Sequence, residues 1–169
     1  MRRAGRLKVI KMKETIDRKR FSDRGELLDE FGDEFLVVCP RCGRRASVAS
    51  EAADTEKLGA RLTAPRRLIC FFCPHRDRWA RGTIAVGGNH DWYFRLPLWL
   101  EISCRGERLW AYNEKHLAFI ERYVRARLRR RAPLRNKSVA SRFPRWLTSA
   151  KNRAAILRAI GKLRAKANN

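Results

Sequence analysis

From Phe35 to Tyr112 the apolar residues come in short β-branched and aromatic runs broken by Gly, Pro and Asn. The runs "EFLVV", "RRASVA", "RRLICFF", "RWARGTIAV", "WYFRL" and "PLWLEISC" each read as a strand. The polar stretch "SEAADTEKLGARLTAP" between them reads as helical or loose. At Asn113 the period changes. In "NEKHLAFIERYVRARLRRR", Leu117, Ile120, Val124 and Leu128 recur at helical spacing, with Asn113 as N-cap and Pro133 as the stop. After "LRNKSVASRFP", Pro144 opens a second helical region with Ile156, Ile160, Leu163 and Ala167 as its apolar stripe. Lys151, Arg153, Arg158, Lys162, Arg164 and Lys166 fall largely around the rest of it. Ahead of the β-rich part, a basic run "RRAGRLKVIKMK" is followed by the acidic "DRGELLDEFGDEF", where Asp23 would cap a short helix with Glu26 three residues on. The pattern predicts an α+β chain in three parts: a basic/acidic segment over 1–34, a β-rich domain over 35–112, and a basic helical region over 113–169.

Charge sharpens this division. The net charge is +23, but residues 1–34 contribute only +2 and residues 35–114 only +5. Residues 115–169 hold seventeen Lys/Arg against a single acid, Glu121. An ordinary solvated face mixes both signs. A segment this one-sided repels itself unless a polyanion or an acidic protein neutralises it. Nucleic acid is the commonest such partner, because each neutralised phosphate releases condensed counterions. Hydrophobic content of 44% with eight Phe, five Trp and three Tyr excludes wholesale disorder. No apolar run approaches the roughly eighteen residues that a membrane span needs. The N-terminus is basic but has no apolar h-region, so the expectation is a cytoplasmic protein. Five cysteines, an odd number, fit a reducing compartment better than a disulfide framework.

Four of those cysteines form a pattern: Cys39-x2-Cys42, twenty-seven residues, then Cys70-x2-Cys73. Two residues between thiolates let both sulfurs of a tight turn point at one ion, and two such turns supply the four ligands of tetrahedral Zn²⁺. Pro40 and Gly43 suit the first turn, Pro by its fixed φ and Gly by accepting a positive one. A lone Cys-x-x-Cys would suit a redox pair, but two with this spacing favour metal. The sequence here resembles the zinc-ribbon superfamily, whose knuckles commonly read Cys-Pro-x-Cys-Gly. The first knuckle matches fully. The second has Phe71-Phe72 inside it and Pro74-His75 where the glycine would stand, and the spacer is long for a ribbon. Four thiolates complete the shell, which leaves His75 a bystander or a donor to a ligand, and Cys104 a buried structural thiol. With no position open to water, one zinc per chain would hold the fold and perform no catalysis. Such binding contributes roughly 10–16 kcal/mol, coupled to folding. The middle domain is expected to be unfolded or molten without it.

The search for catalytic chemistry yields little. "GGNHDW" (87–92) invites comparison with metallophosphatases, but the Asp-x-His element and the further histidines they need are missing, and Gly-Gly-Asn reads better as a hairpin turn. Cys104 and His116 would lack an orienting third group. There is no Gly-rich phosphate loop. The expectation is a protein without enzymatic activity.

"PLWLEISCRGERLWAYN" predicts a hairpin. With Arg105-Gly106 as a two-residue turn, Cys104 pairs with Glu107, Ile102 with Leu109 and Leu100 with Ala111. Leu98, Leu100, Ile102, Cys104, Leu109 and Ala111 then share one face. Trp99, Ser103, Arg108, Trp110 and Tyr112 share the other. That aromatic face is either covered by the C-terminal helices or is a base-stacking platform for single strands.

The run "LWAYNEKHLAFIERYVRARL" with "NKSVASRFPRWLTSAKNRAAILRAIGKLRA" resembles a small bacterial zinc-ribbon family whose members sometimes carry labels borrowed from replication-restart helicases. The resemblance spans roughly the last two-thirds of the chain. It implies a structural zinc and a prokaryotic cytosol but no helicase, since the nucleotide-binding motifs are absent. The function expected is non-enzymatic, zinc-stabilised nucleic-acid binding, DNA ahead of RNA, with little base selectivity. Phosphate contacts would come from Arg41, Arg44 and Arg45 of the first knuckle, from Arg108, and from Arg125, Arg127, Arg129, Arg130, Arg131, Arg135, Lys137, Arg142, Arg145, Lys151 and Arg153. The alternative is an adaptor whose basic helices dock an acidic protein.

Overall fold

The computed structural model describes residues 20–51, 58–130 and 138–168. Both helices and sheets are present, as an α+β chain requires. A four-stranded antiparallel meander runs β2 (Glu34–Val38), β3 (Arg45–Ser50), β4 (Arg66–Cys70), β5 (Arg76–Trp79), with strand neighbours in chain order. Its register pairs Phe35 with Val48 and Val48 with Leu68, which stacks three buried apolar side chains across the sheet. A short helix α1 (Leu58–Thr63) closes the connection between β3 and β4. Arg66, only 2% exposed, ties this end together: its guanidinium donates to the carbonyls of Gly32, Asp33 and Arg61 and lies over the Tyr93 ring.

The hairpin β6 (Leu100–Cys104) and β7 (Glu107–Ala111) has the register predicted from its turn, Leu100 with Ala111, Ile102 with Leu109 and Cys104 with Glu107. Arg105 and Gly106 both take positive φ, +55° and +83°, as a two-residue turn of matching twist demands. The hairpin hangs on the free edge of β2. The Leu36 amide donates to Tyr112 O, and the amides of Val38 and Trp99 complete bonds to Pro97 O and Leu36 O.

Asn113 caps α2 (Glu114–Arg125) as expected: its side-chain oxygen accepts the His116 amide at 2.9 Å, while its Nδ2 donates to Phe31 O and Glu34 O. Val139, Leu147 and α4 (Arg153–Ala167) complete the core, with the short α3 (Arg145–Thr148) starting immediately after Pro144. Ile156, Ile160, Leu163 and Ala167 are all buried, as their spacing predicted. One continuous buried cluster draws on residues before 35, on the β-rich middle and on the C-terminal helices.

Three sequence expectations are corrected. The runs "RWARGTIAV" and "WYFRL" do not form strands beyond Trp79. They fold as a loop around Asp91, whose buried carboxylate accepts the amides of Tyr93, Phe94 and Leu96. Three amides on one carboxylate fix turns that a ladder cannot contain. Helix α2 stops at Arg125, so Leu128 leaves the predicted stripe and lies 59% exposed in β8 (Leu128–Arg130), parallel to β1 (Arg20–Ser22). Pro133 lies outside the described residues. Finally, Asp23 opens no helix: it binds the Gly25 amide and accepts from the Ser138 hydroxyl, and the helical turn begins at Leu28, fixed by Glu30 Oε1 accepting the Leu27 amide.

Candidate metal centre and basic surface

The meander places both Cys-x2-Cys turns at the same end of the sheet, one between β2 and β3, the other between β4 and β5. In the first, the Gly43 amide donates to Cys39 O and the Cys39 amide to Arg44 O, with Gly43 at φ +71°. In the second, the Cys70 amide donates to His75 O and the Phe72 amide points at Cys70 Sγ, 3.4 Å away. The four sulfurs of Cys39, Cys42, Cys70 and Cys73 lie within 4.8 Å of one another. Cys39 and Cys73 approach to 3.8 Å, and Cys42 and Cys70 to 3.5 Å. A tetrahedral ion with metal–sulfur bonds of about 2.3 Å requires sulfur–sulfur edges of roughly 3.8 Å. These four residues are thus positioned to hold one metal ion.

The cluster's protons are unevenly held. Cys73 is pushed up to about 12: the His75 amide favours the thiolate, but burial and the neighbouring sulfurs oppose it and prevail. Cys70 is drawn down to about 6: burial opposes ionisation, but the amides of Phe72 and Cys73 and the sulfurs of Cys73 and Cys42 outweigh it. Sulfurs that cannot all ionise together become compatible once a cation sits among them. Cys104 is buried and separate from the cluster, and the His75 side chain is not part of it.

The predicted phosphate contacts divide into groups. Arg45 donates to Ala167 O at the end of α4 and lies over the Phe71 ring, while Arg44 lies over Phe72. Those two phenylalanines, the residues by which the second turn departs from a ribbon knuckle, are exposed and act as platforms for the first knuckle's arginines. Arg153 donates to Val124 O and Ala126 O, and Arg129 to Tyr123 O and Thr148 O. Arg108 pairs with Glu101 and Arg125 with Glu121. Burial would raise the Glu121 carboxyl, but Arg125 and Arg164 together hold it below the usual range. Arg41, Arg127, Arg130, Arg145 and Lys151 are exposed and have no carboxylate within ion-pair reach among the described residues. Arg142 is exposed as well. Arg131, Arg135 and Lys137 lie outside the described residues.

The aromatic face of the hairpin is covered in part. The Trp99 indole donates to Lys166 O, and the Lys166 ammonium sits 4.3 Å above its ring. Tyr112 is buried against Phe35, Trp92 and His116. Trp110 is half-buried, against His116, in a cavity that also takes in Trp146. Trp146 carries no signal at the level of sequence, because its position depends on how the last third of the chain folds back. Among the described residues no helix is long and apolar enough to cross a membrane. No family model matches the sequence, and neither a curated protein nor a solved structure matches it.

Proposed function

We propose that this chain is a zinc-stabilised, non-enzymatic nucleic-acid-binding protein of zinc-ribbon type that reads backbone phosphate and not sequence, DNA ahead of RNA, in the cytoplasm. One observation carries the reading. Beyond Glu121 the chain has no acidic side chain, and that carboxylate is already shared between Arg125 and Arg164. The exposed cations of the last third have no acid on their own segment to neutralise them. Phosphate is the counter-charge that fits. Zinc is the ion that best suits four thiolates at tetrahedral spacing, and a closed tetrathiolate shell gives it a structural role.

Not every cation serves binding. Arg45, Arg129 and Arg153 hold main-chain carbonyls and support the surface from beneath. The contact set supported best is Arg41 at the first knuckle with Arg127, Arg130, Arg142, Arg145 and Lys151. A pulldown with nuclease treatment as control tests the reading. Nucleic acid that copurifies and leaves only as salt is raised is the expected result. A stoichiometric acidic protein that survives nuclease would replace nucleic acid with a protein partner.

A further inference from the structure

Two cavities flank Trp146. The first, about 330 Å³, is walled by Trp110, Phe143 and Trp146, carries Arg108 and Arg142 in its lining, and includes His116. The second, about 410 Å³, is lined on its cationic side by Arg105, Arg145 and Lys151, with Glu107 as its one acid. Both volumes fall in or near the range of small-ligand sites. His116 is 2% exposed, and its Nε2 has no partner. The Tyr112 amide donates to Nδ1 at 3.4 Å, so the ring proton resides on Nε2. Burial also holds the ring neutral at physiological pH. The first cavity thus offers aromatic walls and arginines, and the His116 ring in its lining carries an N–H without an acceptor. A buried donor left unpaired is costly, and such groups mark places where a partner belongs.

We propose that this pair of cavities binds a nucleotide, the base stacked among Trp110, Phe143 and Trp146 with an acceptor toward His116 Nε2, and its phosphate beside Arg105, Arg145 and Lys151. The base is planar, carries acceptors on its edge and is tethered to an anion, which is the combination that an aromatic chamber adjoining a cationic one recognises. A paired base inside a duplex cannot enter. The occupant is therefore an unstacked base of a single strand, or a free nucleotide of the same chemistry. The inference rests on the nucleic-acid reading above and makes it more specific, since the phosphate surface alone would not distinguish single strands from duplex.

The test uses the full-length zinc-loaded protein, a ten-nucleotide single strand with one central 2-aminopurine, the same strand in duplex, and free nucleoside monophosphates. Tighter binding of the single strand at equal salt is expected, with the 2-aminopurine emission quenched by stacking. Trp146→Leu and His116→Phe should each weaken single-strand binding by about tenfold or more, with duplex affinity and its salt slope little changed. Two variants guard against one that fails to fold. Single-strand and duplex affinities that are equal, and unmoved in both folded variants, would overturn the pocket and leave the phosphate surface standing. Trp146-dependent binding of nucleoside monophosphates with no binding of either oligonucleotide would support the pocket and defeat the phosphate surface. Absence of all binding overturns both.

Discussion

Arg153 and Arg127 look alike in the sequence, two arginines in a basic segment, yet the structure separates them. Arg153 donates to two carbonyls at the end of α2, Val124 O and Ala126 O, whereas Arg127 is exposed with no carboxylate in reach among the described residues. Arg153→Ala leaves two part-buried carbonyls unsatisfied and should destabilise by about 2 kcal/mol, while Arg127→Ala should stay within about 0.5 kcal/mol of wild type. Denaturant midpoints decide it, and equal shifts would contradict the assignment. Gly32 is a second case. A Cβ there would lie 2.6 Å from Trp92 Cζ3, on a ring that is fully buried and cannot retreat, so Gly32→Ala should cost about 1–3 kcal/mol. His116 gives a prediction in pH. Burial lowers it from its ordinary 6.5 to about 4, so the unfolded chain takes up its proton first on acidification. Its contribution is complete above pH 6.5 and is lost progressively between about 6.5 and 4, to the order of 3 kcal/mol. In His116→Phe this share of the pH dependence across that window should disappear. A wild type and variant with parallel pH profiles would contradict the buried, neutral ring.

At the scale of elements, the sulfur cluster ties two turns of one sheet, so metal and sheet should be lost together. Cys39→Ser or Cys70→Ser should abolish stoichiometric zinc and the cooperative melt, while Cys104→Ser leaves the metal content at one per chain. Zinc near zero with a cooperative melt retained would contradict this. What the sequence made legible follows from locality. The β6–β7 register was readable because Arg105-Gly106 permits only a two-residue turn and the alternation then fixes every pair. The α2 start was readable from Asn113, and the buried face of α4 from four residues at helical spacing. The failures are non-local. The end of α2 is held by Arg129 and Arg153, which lie respectively four and twenty-eight residues beyond its last residue and reach back to its carbonyls. Residues 80–99 contain enough β-formers to read as strands, but Asp91 takes three amides and Trp92 is drawn into the core with Phe35 and Tyr112. The four cysteines were legible from spacing alone, whereas the cavity around Trp146 depends on three elements meeting.

For the whole molecule, the question is where the +23 charge acts. Only part of any helix can face a strand, and several arginines are spent on carbonyls or paired with acids, so five to eight effective phosphate contacts are expected. Each contributes a slope of about −0.9 in log K against log salt on duplex DNA, which corresponds to about 10³-fold or greater loss between low and physiological salt. The most direct measurement is this salt titration on wild type and on the combined Arg127→Glu, Arg130→Glu, Lys151→Glu variant, with zinc content as the control for folding. The account predicts a steep wild-type slope, flattened by up to about three units in the variant, with similar losses on unrelated sequences and one zinc retained. A wild-type affinity that scarcely responds to salt, or a slope that survives the triple reversal intact, would contradict it.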